Sequence, residues 1–190
     1  MIKKVKFILM MLIIIQAIII YKDINNEHKK NDEESKIINN FLSIKTGQPE
    51  TINDKVNYEM VIEIPKIGLK KGILPKENKD NNIDKNVTIL EESNYPNELG
   101  NIYIAAHSGS GKHSYFNDLT KLKEKDKTYL YHENIKYIYE VKEIKNISKI
   151  NNSSILTKNK NNLILITCNQ KDKSKYLVII LEQIKKQNYK

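Results

Sequence analysis

From Met60 to Leu181 the chain is a series of short apolar pieces cut by turn formers, a spacing that favours a sheet of many short strands. Met60–Ile64 stops at Pro65, and Ile67-Gly68-Leu69 and Ile73-Leu74-Pro75 are bounded by Gly and Pro. Val87–Leu90 and Ile102–Ala106 stand on either side of a loop, Ser93–Asn101, that contains Pro96 and Gly100. Thr128–Tyr131 and Ile135–Ile144 flank His132-Glu133-Asn134 and predict a hairpin. In its second arm Ile135, Tyr137, Tyr139 and Val141 share one face and Lys136, Glu140 and Lys142 the other, with Ile138 the exception, so the strand is half-buried. Leu163–Thr167 and Tyr176–Leu181 are apolar and partly β-branched, the pattern of buried central strands. Tyr115, Phe116, Leu119 and Leu122 predict one short helix, and Asn151–Asn162 a polar loop with a turn of helix. Short strands leave edges that closure removes, so the fold class expected is mostly β, a closed or nearly closed barrel.

Ahead of this domain, Lys3, Lys4 and Lys6 precede an apolar run from Phe7 to Ile20, which reads as a signal peptide or signal anchor. The bulky Gln16-Ala17-Ile18-Ile19-Ile20 offers no small-x-small cleavage site, which favours an uncleaved transmembrane anchor. The lysines at its start favour a cytoplasmic N-terminus and an extracellular body at the cell membrane. The expected organisation is an anchor at 1–21, a stalk at 22–55 rich in Asn, Lys and Glu, and a barrel domain at 56–190. Ile37, Ile38, Phe41, Leu42 and Ile44 predict a short helix within the stalk. The net charge is +9, of which the three anchor lysines supply 3, leaving 9 − 3 = +6 on the exported part. That charge suits an anionic wall or membrane surface. Export, together with the lack of aromatic–basic interleaving, argues against a nucleic-acid partner.

Export gives meaning to the single cysteine, which has no internal disulfide partner. Cys168 ends the apolar run Leu163–Cys168 and is either an inert core thiol or a nucleophile. A nucleophilic thiol needs a base or a nearby cation. His107 fits that need, because it follows the strand Ile102–Ala106, stands beside Ser108-Gly109-Ser110-Gly111, and lies 168 − 107 = 61 residues upstream. His28, His113 and His132 read as surface residues. Four scattered histidines and one cysteine do not make a structural zinc site, Glu91 and Glu92 are too ordinary to assign as ion ligands, and no cofactor is expected. Gly109-Ser110-Gly111-Lys112 fails as a phosphate loop, having Ala106 and His113 where that loop needs Gly and Ser or Thr. Neither Ser108 nor Ser110 sits in a nucleophile elbow.

Four stretches in order resemble the sortases, the cysteine transpeptidases of Gram-positive bacteria. Leu165-Ile166-Thr167-Cys168 resembles the end of the family's TLxTC motif, with Ile164 where the first Thr often stands. Pro96-Asn97-Glu98-Leu99-Gly100-Asn101 followed by Ile102–His107 is similar to its P-G-E-x-G-N stretch and catalytic histidine, with Asn97 replacing a glycine. Tyr115–Leu119 with Leu122, and Ile62–Ile67, are similar to the helix after that histidine and to the first strand of the catalytic domain.

The resemblance implies an eight-stranded barrel in which Cys168 attacks the Thr-Gly carbonyl of an LPxTG-like sorting signal, forming a thioester with a surface protein. An amine of a peptidoglycan precursor or of a pilin then resolves the thioester. His107 acts as general acid and base, and Thr167 helps line the signal groove. The family's arginine on the following strand is absent, since the chain contains no arginine. Lys175 is the nearest cation to that place, Lys173 lies two residues earlier, and Tyr176 fits the same slot as a neutral donor. Lysine supplies charge but not a planar fork. The alternative expectation is therefore a catalytically weak protein of the same fold that binds wall or surface-protein ligands. A papain-like hydrolase fits poorly, because there Cys precedes His in the chain.

Overall fold

The computed structural model describes residues 2–43, 57–150 and 161–189. The stalk end expected at 44–55, and most of the loop expected at 151–162, lie outside them. The chain divides into two units at Asn39/Asn40.

The first element, α1 (Ile2–Ser43), is one unbroken helix of 42 residues. Neither Gly nor Pro occurs before Gly47, so nothing removes a hydrogen bond or a favourable backbone angle from the helix. The polar stretch after Tyr21, expected as a stalk with one short helix, continues α1 to Ser43. Extending an existing helix adds a hydrogen bond for each residue fixed, without a second nucleation cost. The apolar side chains from Phe7 to Ile20 are exposed, and α1 is long and apolar enough to cross a membrane.

Among the described residues, the second unit holds one sheet of eight strands. These are β1 (Met60–Ile64), β2 (Leu69–Ile73), β3 (Thr88–Ile89), β4 (Ile102–Ala105), β5 (Lys127–His132), β6 (Ile135–Ser148), β7 (Asn162–Cys168) and β8 (Lys175–Asn188). Their order is β2-β1-β5-β6-β8-β7-β4-β3, a nearly closed barrel with β2 and β3 at the free edges. Every pairing is antiparallel except β4 with β7.

Local chemistry explains the punctuation. Pro65 ends β1 and opens a 3-10 turn, Pro65–Ile67, that closes on Gly68 in the left-handed region. Between β5 and β6, Glu133 (φ 47°) and Asn134 (φ 61°) form a two-residue turn with both residues left-handed, the geometry whose twist matches that of the flanking strands. The short helix expected after His107 is a five-residue 3-10 helix, Asn117–Lys121. Phe116, Leu119 and Leu122 are buried at intervals of three, which matches the 3-10 period more closely than the α period.

Alternation along the strands builds two apolar layers. Ile102 and Ile104 of β4, Leu163 and Leu165 of β7, and Leu177, Ile179 and Leu181 of β8 enter the main core. Tyr103 and Ala105, Ile164 and Ile166, and Val178 and Ile180 from the same strands form a smaller cluster on the other face. Fully burying one Leu or Ile contributes about 1.5–3 kcal/mol. With both faces covered, β7 and β8 read as continuous apolar runs. In β6, Tyr137, Tyr139 and Val141 face the core, but Ile147 belongs to the outer cluster although it is also odd-numbered. The cause is a bulge: Val141 pairs with Leu181 and Glu143 with Ile180, leaving Lys142 as the extra residue that reverses the alternation.

Candidate active site

A parallel pair has no hairpin to set its register, so β4 and β7 depend on other contacts to hold theirs. Ile102 lies opposite Leu163, and the pairing continues to Ala105 opposite Ile166. At the entrance, the backbone N–H of Gly100 donates to Asn161 Oδ1 at 3.0 Å, and that of Asn162 donates to Asn101 Oδ1 at 3.2 Å. At the exit, Ala106 N–H donates to the Ile166 carbonyl at 3.3 Å, and the Thr167 hydroxyl donates to the Ala106 carbonyl at 2.7 Å. The Ser108 hydroxyl donates to the Cys168 carbonyl at 2.6 Å. The same offset of 61 positions recurs along the pair, and its continuation sets His107 level with Cys168. The residues Gly100-Asn101, singled out in the sequence beside the histidine strand, act as the entrance pins.

Beyond the strands the two segments stay joined. Gln170 Nε2 donates to the Asn117 carbonyl at 3.0 Å and to Asn117 Oδ1 at 3.2 Å, and Gly109 N–H also donates to that oxygen. The loop after Cys168 is thereby tied to the loop after His107.

The Cys168 thiol is half-buried and free. Directly opposite it on β8 stands Tyr176, and opposite Tyr176 on β6 stands Ile147. Two residues past Ile147, the Lys149 ammonium lies 3.4 Å from Cys168 Sγ and 5.2 Å from the centre of the Tyr176 ring. The Lys149 backbone is fixed by its N–H, which donates to the Ser174 carbonyl at 3.0 Å. On the β4 side, His107 Nε2 donates to Asp84 Oδ1 at 2.9 Å. An ionised carboxylate only accepts, so this contact places the ring hydrogen on Nε2 and leaves Nδ1 to exchange a proton. Asp84 belongs to the loop between β2 and β3, where its carbonyl also accepts from His113 Nδ1 at 2.7 Å. Ile83, next to it, packs on the outer apolar cluster.

The sequence-predicted residues therefore fall in different places. His107 and Cys168 share one end of neighbouring strands. Lys175 lies one position before Tyr176, pairs with Ser148, and holds its ammonium 3.0 Å from Asp172 Oδ2. The Ser174 hydroxyl, the Lys175 ammonium and the Ser174 N–H hold the Asp172 carboxyl at about 2, below its ordinary value. Thr167 is 3% exposed, with its hydroxyl engaged by the Ala106 carbonyl. His132, expected at the surface, is 2% exposed; its Nε2 lies 3.0 Å from Glu59 Oε1 and its ring stacks on Tyr95. A hairpin end reads as exposed from sequence, but here the Ser93–Asn101 loop covers it.

Lys149 and Asp84 were not singled out in the sequence. Lysine supplies every one of the 32 basic Lys and Arg residues, so no single lysine stands out, and the face reached by Lys149 depends on the bulge at Lys142. Asp84 belongs to no motif.

The residues from 62 to 183 match the family model described as the sortase domain. Sortase A of Bacillus anthracis is 30% identical over 142 residues, covering 71% of this chain and 67% of that protein. Among solved structures, sortase C1 of Streptococcus suis superposes with a TM-score of 0.59 at 26% identity, over 67% of this chain and 73% of that one. Sortase A of Corynebacterium diphtheriae superposes with a TM-score of 0.60 at 22% identity. That match covers 70% of this chain and spans 63% of the diphtherial chain.

Proposed function

The chain belongs to the sortase family, a class of cysteine transpeptidases, and from that premise we propose that it cleaves an LPxTG-like sorting signal between Thr and Gly and transfers the acyl part to an amine. The observation that carries this reading is the parallel β4–β7 pair, whose pinned offset brings His107 and Cys168 to one strand end. The Cys168 thiolate attacks the Thr carbonyl, forming a C–S bond and moving an electron pair onto the carbonyl oxygen. Collapse of that intermediate breaks the C–N bond, and protonated His107 gives its proton to the leaving amine. The incoming amine loses its proton to the same imidazole as it displaces the sulfur. The acceptor is an amine of the cell-wall cross-bridge or of a pilin lysine, and α1 anchors the enzyme with its N-terminus cytoplasmic and its barrel outside.

The test is mass-spectrometric capture of an acyl adduct on the detergent-solubilised full chain, using a peptide library of LPxTG type. The expected result is an adduct on Cys168 that is absent in Cys168→Ala and released by added amine. A folded wild-type chain that forms no adduct across the library would favour the reading of a ligand-binding protein on the same fold.

A further inference from the structure

We propose that Lys149, entering from β6, is the cation of the catalytic centre: its ammonium holds the Cys168 thiolate at rest and faces the oxyanion when the carbonyl is attacked. The inference rests on the reading of Cys168 as the nucleophile. It starts from a row of positions on one face of four neighbouring strands. Ile147 is opposite Tyr176 and Tyr176 is opposite Cys168, and the β4–β7 offset adds His107 to the row. The bulge at Lys142 puts the end of β6 on this face, so Lys149 arrives on the side of the sulfur. Its ammonium is 3.4 Å from Sγ and lies over the Tyr176 ring, whose electron-rich face attracts a cation.

Lys175 is placed differently. It is one position out of this row, where a strand turns its side chain to the opposite face, and its charge is paired with Asp172 at 3.0 Å. Lys149 takes no part in the proton transfers described above. Its contribution is the field of a fixed positive charge where negative charge rests on sulfur and then on oxygen. Tyr176, packed against the outer apolar cluster, supports this by offering its ring to the ammonium.

The test compares alkylation of Cys168 by iodoacetate, which is anionic, with alkylation by iodoacetamide, which is neutral, in the full chain in a neutral detergent. A cation beside the sulfur raises the rate with the anionic reagent selectively, so the ratio of the two rates reads local charge without any peptide substrate. In Lys149→Gln the ratio is expected to fall roughly three- to tenfold, as for loss of one unit charge near a solvated surface. Lys149→Arg is expected to retain most of it, and Lys175→Ala to change it little. With a cleavable peptide, Lys149→Gln is expected to lower kcat at least tenfold with KM nearly unchanged. An unchanged ratio in Lys149→Gln, or an equal fall in Lys175→Ala, overturns the proposal. If no peptide acylates the wild type, the sorting reading fails while the alkylation ratio still decides the place of Lys149.

Discussion

Replacing Thr167 with valine removes one hydroxyl from the exit of the β4–β7 pair and almost nothing else. Valine keeps the volume and branching, so the loss falls on the 2.7 Å bond to the Ala106 carbonyl at a position 3% exposed. Leaving a buried acceptor without its donor costs about 1–3 kcal/mol, and the neutral character of this bond favours the lower half of that range. For a barrel of this size, a loss of 1–2 kcal/mol lowers Tm by roughly 4–8 °C. Of the eleven tyrosines only Tyr21 lies in α1, so near-ultraviolet circular dichroism follows barrel unfolding with little contribution from the helix. The peptide KM is expected to stay within about twofold, because the hydroxyl is engaged inside the protein; the acylation rate falls modestly as the two strand ends loosen. The opposite pattern, an unchanged Tm with KM raised tenfold, would place the hydroxyl in the signal groove and refute its assignment as a register pin.

Two further outcomes test the supports around the site. Gly100→Ala is expected to destabilise the barrel by about 2 kcal/mol or more, since Gly100 has φ +139° and an added Cβ meets Asn94 Oδ1; the same thermal melt measures it, and a loss under about 0.5 kcal/mol contradicts the strain argument. The Asp172 carboxyl is expected to titrate at about 2 by carbon NMR. Its native pKa is depressed, so the turn's contribution to stability is present above the ordinary carboxylate value of about 4 and is lost as pH falls toward 2. A midpoint near 4 would show that the Ser174 and Lys175 contacts do not form in solution.

The strands of the barrel were legible wherever burial is one-sided or continuous. Tyr137, Tyr139 and Val141 announce a face, and Leu163–Thr167 announces a strand covered on both sides. That His107 and Cys168 each end a strand was legible because each follows such a run. The approach of Lys149 to Cys168 was not, because it depends on parity: one extra residue at Lys142 moves the end of β6 to the other face, and a lysine-rich strand shows no mark of that reversal. The inward bond of Thr167, expected from its motif position to line the groove, was hidden for a related reason, since it follows from alternation with Leu165. The length of α1 was also hidden, because Asn25–Lys36 contain no apolar residue to mark a helical face, and the helix carries through them from an apolar half already helical.

The strand order has a consequence for how the candidate site comes together. Remove β7 and β8, and the sheet falls into two separate pieces, β2-β1-β5-β6 and β4-β3. The β7–β8 hairpin is the keystone that joins them, with β8 on β6 and β7 on β4. Cys168 rides on this keystone, His107 waits on the smaller piece, and Lys149 on the larger. Cys168, His107 and Lys149 come together only when the β8–β6 and β7–β4 pairings are both made, so neither piece by itself assembles the three.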